Sequence, residues 1–342
     1  MNQGMRVLAG AVLAVALSIG LSTQAMAALY ATGTGSGPGA GLSGLYTVDP
    51  LNGDASLVWN FQGIHIYAGG LAYDATTDTL YATGAEDSST GTSRLFTIDR
   101  YTGAVTAFGG LSSNINLGSG GLAIDPVTGA LYATGNWGDN NVPHQSTALL
   151  TLDKTTGAAT LIGYAAGNCC SGDFGVMLNG LGFQSDGTLY ANGWALGGPS
   201  YPDPSTSHLY TVDLATGAAS EIGPSGVVLG RSLKYSGLAF TGDGTLLSLG
   251  SLDAASGALY ALNTSTGAAT SLSGTGLPYG SGPIHFGVDG GLTFAPTVPL
   301  PATVWLLGTG CLGLFGWSRR KAPRLSAGDS CNDRSEEDAR RR

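Results

Sequence analysis

The chain of 342 residues carries 23 acidic against 14 basic side chains, a formal net charge of −9, and 57 glycines. Between residues 28 and 296 the imbalance deepens, with eighteen acids against five bases (Arg94, Arg100, Lys154, Arg231, Lys234), or about −13. Phosphate binding needs clustered Lys and Arg, so nucleic acid and anionic membrane are excluded as partners of this body.

The chain opens on an export signal. Arg6 gives a positive start, Val7 to Leu21 an apolar run, and Ala25-Met26-Ala27 a small-x-small cleavage site before Ala28. Residues 1–27 are expected to form a signal peptide.

Four short motifs then recur. The first is Gly-Leu-Ala-like, at Gly70-Leu71-Ala72, Gly121-Leu122-Ala123, Gly180-Leu181-Gly182, Gly237-Leu238-Ala239 and Gly291-Leu292-Thr293. The second is Leu-Tyr-Ala-Thr-Gly, at 29–33, 80–84 and 131–135, with variants at 189–193 and 246–250. The third is an apolar strand ending at Asp49, Asp99, Asp153, Asp213 or Asn263, and it runs into x-x-Thr-Gly in all but the first copy, Asn52-Gly53. Those end positions lie 50, 54, 60 and 50 residues apart, near the period of propeller blades. The fourth follows that turn, as in Gly157 to Gly163.

Four strands per repeat, named A to D, predict one antiparallel blade. Strands B, C and D occur five times from Leu29 onward, and strand A five times but shifted by one blade. The expected fold is therefore all-β: a five-bladed β-propeller of four-stranded antiparallel blades. It is closed by pairing residues 291–294 with 29–33, which removes open sheet edges. The Asp-x-x-Thr-Gly turns resemble those of quinoprotein-type and YVTN-type propeller repeats. That resemblance implies fold and not function, and the closing Trp of quinoprotein enzymes is missing except near Trp59. The Asp is expected to accept amide bonds across its turn rather than to bind calcium.

The A–B and C–D turns are tight, whereas the B–C and D–A connections are long and emerge together on the other face. Function concentrates on loops held by a rigid scaffold, so that face is the candidate site. Its candidate ligand-binding residues are Glu86, Trp137, Asp139, Asn140, Asp173, Trp194, Tyr201 and Asp203, because Trp and Tyr stack on sugar rings while Asp and Asn bond hydroxyls. The alternative is that these aromatics pin Gly-rich loops. Cys169-Cys170, also in a D–A loop, offers either a vicinal disulfide or two unpaired thiols.

Gly-x-Ser-x-Gly and His-Glu-x-x-His are absent from the sequence, and four histidines are too scattered for a metal site. No catalytic residue, metal or cofactor is assigned, and an enzyme is the lesser reading.

Val298-Pro299-Leu300-Pro301-Ala302 leads into an apolar stretch, residues 303–317, stopped by Arg319-Arg320-Lys321. Residues 302–317 would span about 24 Å as a helix, short of a ~30 Å hydrocarbon core. These residues resemble the PEP-CTERM sorting signal. The resemblance implies an exosortase-type partner, export from a Gram-negative cell, and at least transient membrane contact through a transmembrane helix at 303–317. Four parts are expected: signal peptide 1–27, propeller 28–296, sorting signal 297–321 and a disordered charged tail 322–342.

The favoured reading is an exported, non-catalytic propeller of the cell surface or biofilm matrix that binds glycan or protein through its long-loop face. The alternatives are a hydrolase or lyase acting on matrix exopolysaccharide, and a purely structural matrix component.

Overall fold

The computed structural model describes residues 27–34, 43–51, 53–61, 66, 69–85, 93–110, 115–117, 120–137, 147–165, 174–197, 207–227, 237–253, 256–272, 277–278 and 291–296. All secondary structure among them is β. The first blade holds β1 (Ala27–Thr34), β2 (Ser43–Val48) and β3 (Ala55–Asn60). The second holds β4 (Leu71–Asp74), β5 (Thr79–Ala85), β6 (Ser93–Ile98) and β7 (Val105–Gly110). After a short β8 (Ile115–Asn116), the third holds β9 (Leu122–Ile124), β10 (Leu131–Trp137), β11 (Ala148–Leu152) and β12 (Ala159–Tyr164). The fourth holds β13 (Phe174–Phe183), β14 (Leu189–Gly197), β15 (His208–Val212) and β16 (Ala219–Pro224). The fifth holds β17 (Leu238–Phe240), β18 (Leu246–Asp253), β19 (Ser256–Leu262) and β20 (Ala269–Ser271), with β21 (Leu277–Pro278) on the far end of β19. The last strand, β22 (Leu292–Pro296), returns to the first blade.

These form five antiparallel sheets in the expected A-B-C-D order. Closure is as read from the sequence: β22 pairs β1 from Ala27↔Pro296 to Ala31↔Leu292. The inner strands β4, β9, β13, β17 and β22 neighbour one another in turn and complete a ring. One boundary differs. The first strand of the fourth blade begins at Phe174 rather than Gly180, because β14 overhangs far enough to pair Val176–Leu178 before a bulge. The flanking signal and sorting segments lie outside the described residues.

The Gly-Leu-Ala motif is explained by crowding at the axis. A Cβ at Gly291 would sit 1.9 Å from the Leu71 nitrogen, and at Gly121 2.3 Å from the Leu181 nitrogen. The Thr of Leu-Tyr-Ala-Thr-Gly serves the same junction: its buried hydroxyl accepts the glycine N–H, Gly70 to Thr83 at 2.9 Å, Gly121 to Thr134 at 2.7 Å and Gly291 to Thr32 at 3.1 Å. Asn192 does this for Gly180 at 2.7 Å. These four axial amides are thereby satisfied where water cannot reach them; the fifth blade has Leu249 at the matching position.

The C–D turns are Asp-mediated, as expected. Asp49, Asp99, Asp153 and Asp213 each accept the amide two residues on at 2.8 Å, and Asn263 does so at 2.9 Å. The turn glycines have φ between 73° and 79°, the left-handed region that favours glycine. Gly103 also accepts the Trp59 ring of the preceding blade, whose indole N–H donates to the Arg100 carbonyl at 2.9 Å.

Neighbouring blades pack through apolar clusters that pair one blade's second strand with the next blade's first. Tyr132 meets Phe183 at 5.5 Å between ring centroids, and Tyr190 meets Phe240 at 5.4 Å. An ion pair joins the second and third blades, with Lys154 Nζ 2.5 Å from the buried Asp74 carboxylate. Burial alone would raise the Asp74 pKa, but hydrogen bonds from Lys154 and Thr76 outweigh it and hold the group at about 2. A carboxylate depressed from 3.8 to about 2 contributes stability above its ordinary pKa and loses it as pH falls from about 4 to 2. The amount is about 2 kcal/mol. Thermal melts at pH 7, 4 and 2.5 are expected to show that acid loss in the wild type. Lys154→Met should lower the pH 7 melting temperature by about 5 °C and flatten the decline; an unchanged acid profile would refute the assignment.

Candidate functional site

At the long-loop end of the axis, β5, β10 and β14 finish and β13 begins. Of the eight candidate ligand residues, Trp137 and Trp194 fall among the described residues; Glu86, Asp139, Asn140, Asp173, Tyr201 and Asp203 lie outside them, as do Cys169 and Cys170. Trp137 is half-buried at the end of β10, against the core between the second and third blades. Its backbone pairs with Ile115 of β8, and its carbonyl accepts the Tyr164 hydroxyl at 3.3 Å. Trp194 is half-buried in β14, paired with Met177. Both residues sit on strands rather than in loops.

The axial floor at this end is a closed contact of glycines around a void of about 10 Å3. Asn179 is the polar side chain that lines it, 2% exposed, with its Nδ2 lacking a hydrogen-bond partner. No carboxylate lines the axis among the described residues. Among those residues no three His, Cys, Asp or Glu side chains group as a metal site. His208 instead meets Glu221 at 2.6 Å on the outer part of the fourth blade.

The other end of the axis, where the tight turns lie, holds a concavity that the sequence reading missed. There the inner strands splay into a funnel of about 390 Å3. Tyr73, Ile124, Phe183, Phe240 and Phe294, one from each blade, ring it. All five are half-buried. Their common position, two residues after the axial Leu, is the sequence signal that could have found it.

Residues 297–321 match the PEP-CTERM protein-sorting motif. The chain carries a PEP-CTERM sorting signal. Such a motif implies recognition by an exosortase-type enzyme, export, and membrane anchoring before processing. The residues expected to form it, Val298, Pro299, Leu300, Pro301, Ala302, Arg319, Arg320 and Lys321, all fall within the matched segment, outside the described residues.

No curated protein sequence matches the chain. Among solved structures, the exo-β-1,3-galactanase 1,3Gal43A of Clostridium thermocellum is similar at 12% identity and a TM-score of 0.42, covering 61% of this chain and 49% of that one. The exo-β-1,3-galactanase of Phanerochaete chrysosporium is similar at 11% identity and a TM-score of 0.43, covering 63% and 50%. A candidate 6-phosphogluconolactonase of Bacteroides fragilis is similar at 12% identity and a TM-score of 0.41, covering 77% and 85%. The chain thus spans about half the length of the two galactanases.

One expectation is corrected here. The sequence favoured a non-catalytic propeller that binds glycan or protein, whereas the similar structures are repeatedly glycoside hydrolases, exo-β-1,3-galactanases among them. That likeness is one of fold and carries no activity to this chain, whose chemistry rests on its own residues.

Proposed function

We propose that the chain is an exported propeller hydrolase that cuts a polysaccharide of the cell surface or extracellular matrix on its long-loop face. The observation that supports this reading is topological. Glu86 follows the end of β5, Asp139 lies two residues past the end of β10, Asp173 immediately precedes β13, and Asp203 lies six past the end of β14. Four acids are therefore carried from strand ends that share one end of the axis.

Glycoside hydrolysis needs two carboxyls about 5–9.5 Å apart, one protonating the leaving oxygen and the other acting as nucleophile or activating water. Trp137 and Trp194, half-buried on adjacent blades, would supply the aromatic contact to the sugar. The sorting signal supports delivery to the place where such a polymer is found.

The test is release of reducing ends by the purified chain from a polysaccharide panel that includes β-1,3-galactan, the substrate class of two similar structures. Glu86→Gln, Asp139→Asn, Asp173→Asn and Asp203→Asn are compared singly. Two of the four are expected to lower the rate by about 10²–10⁴. No release from any polymer, or full activity in all four variants, would overturn the reading. A structural matrix component is the second reading, favoured by the glycine-closed axis without a described carboxylate. Mass spectrometry of the surface fraction tests processing, with peptides from Ala322 onward expected to be missing.

A further inference from the structure

The funnel at the tight-turn end has the size of a small-molecule site. Its wall is the five-residue ring above a floor of axial leucines, and no charged side chain lines it. Two carboxylates stand on the turns that border it instead. Asp186 stands next to the lining residue Ser185, and Asp243 stands between the lining residues Gly242 and Gly244. On the second blade the corresponding turn carboxylates are matched by cations, Asp74 by Lys154 and Asp78 by Arg100. Among the described residues, Asp186 and Asp243 have no such partner in an ion pair. The Thr188 amide holds Asp186 below the usual carboxylate range, and the Thr241 hydroxyl and Thr245 amide do so for Asp243. The turns that follow Phe183 and Phe240 thus each carry an ionised carboxylate beside the funnel, while the cation of Arg100 lies over the Tyr73 ring on the second blade.

We propose that this funnel binds an amphiphile with an apolar, ring-sized body and a cationic amine head. The body lies against the aromatic ring, and the head lies at the Asp186 and Asp243 carboxylates. Anionic amphiphiles are repelled by the same carboxylates.

Three probes separate body from head: 1-naphthylmethylammonium, 1-naphthalenemethanol and 1-naphthoate, titrated into the purified full-length chain and followed by naphthalene fluorescence. The expected order of affinity is ammonium, alcohol, carboxylate, with roughly fivefold between the first two. Thr293→Trp, which adds bulk at a half-buried lining position, is expected to weaken all binding at least tenfold. Asp186→Asn with Asp243→Asn, on exposed turns, is expected to bring the ammonium to the level of the alcohol and leave the alcohol unchanged. Melting curves verify that both variants fold; if Thr293→Trp does not, the turn pair still decides the matter. The proposal is overturned if the ammonium probe does not bind, if binding survives Thr293→Trp, if the turn variants leave the preference intact, or if naphthoate binds as tightly. The glycines that close the axis separate this site from the long-loop face, so a failed titration leaves the hydrolase reading standing.

Discussion

A chain lacking residues 292–296 is expected to lose cooperative unfolding altogether, with a melting transition that broadens or vanishes. These five residues supply the innermost strand of the first blade and its ladder to β1. They bury Leu292 and Ala295 at 2% and 1% exposure, and Leu292 belongs to the core shared with the fifth blade. Truncating one buried leucine costs about 2–5 kcal/mol, and each lost hydrogen bond about 1. Removing the strand also exposes the edge of β1 and opens the ring between the fifth and second blades, which meet β22 on either side. Against a total stability of about 5–15 kcal/mol, those losses consume most of what holds the fold. A sharp, unshifted transition in differential scanning calorimetry would show that the ring does not depend on its closure.

That closure was legible in the sequence because it is a matter of counting. Strand A appears five times but one blade late, and Gly291-Leu292 has no second strand after it. The C–D turns were legible for a local reason, since Asp and a left-handed Gly at fixed spacing close the turn by themselves. The Thr32, Thr83 and Thr134 hydroxyls were not, because their partners are glycine amides some 13 to 259 residues away. The strand β8 was equally hidden, since two residues, Ile115 and Asn116, find a partner only where β10 overhangs its neighbour.

The candidate site divides the same way. Loop lengths pointed to the long-loop face, whose four acids lie outside the described residues. Which pair could act together is set by tertiary geometry that spacing does not encode. Trp137 looked like a loop aromatic, yet β10 carries it as a strand residue. The funnel escaped notice because a strand motif does not tell which side of Phe183 and Phe240 is packed. They are core on one side, where Tyr132 and Tyr190 meet them, and funnel wall on the other.

Arg100→Ala is expected to loosen the end of the closing strand selectively. Arg100 is 4% exposed, and its guanidinium donates to Asp78, to the Tyr101 hydroxyl at 2.9 Å and to the Pro296 carbonyl. It also lies over the Tyr73 and Tyr101 rings at 5.4 and 4.8 Å. Pro296 is the residue immediately before the sorting motif, so this clasp fixes the body where the motif begins. Asp78 has φ +54° at the turn position that other blades fill with Gly129, Gly187 and Gly244. A non-glycine residue there costs about 1 kcal/mol or more. The bonds that Asp78 accepts from Tyr73, Tyr101 and Arg100 offset that strain. Burial would raise the Asp78 pKa, but those same bonds lower it overall, so the clasp holds at neutral pH and weakens as pH falls through the carboxylate range. Removing the arginine takes the ion pair from Asp78, which is 43% exposed and keeps its Tyr73 and Tyr101 donors. The Pro296 carbonyl loses its donor as well, for a total cost of about 1–2 kcal/mol. Asp78→Gly in the same chain should recover part of it by removing the backbone strain at φ +54°. Hydrogen exchange is the decisive measurement: amides of residues 293–295 should exchange faster in Arg100→Ala while those of β13 stay protected. Uniform acceleration across all five blades would mean that Arg100 supports the fold at large and does not hold its last strand in place.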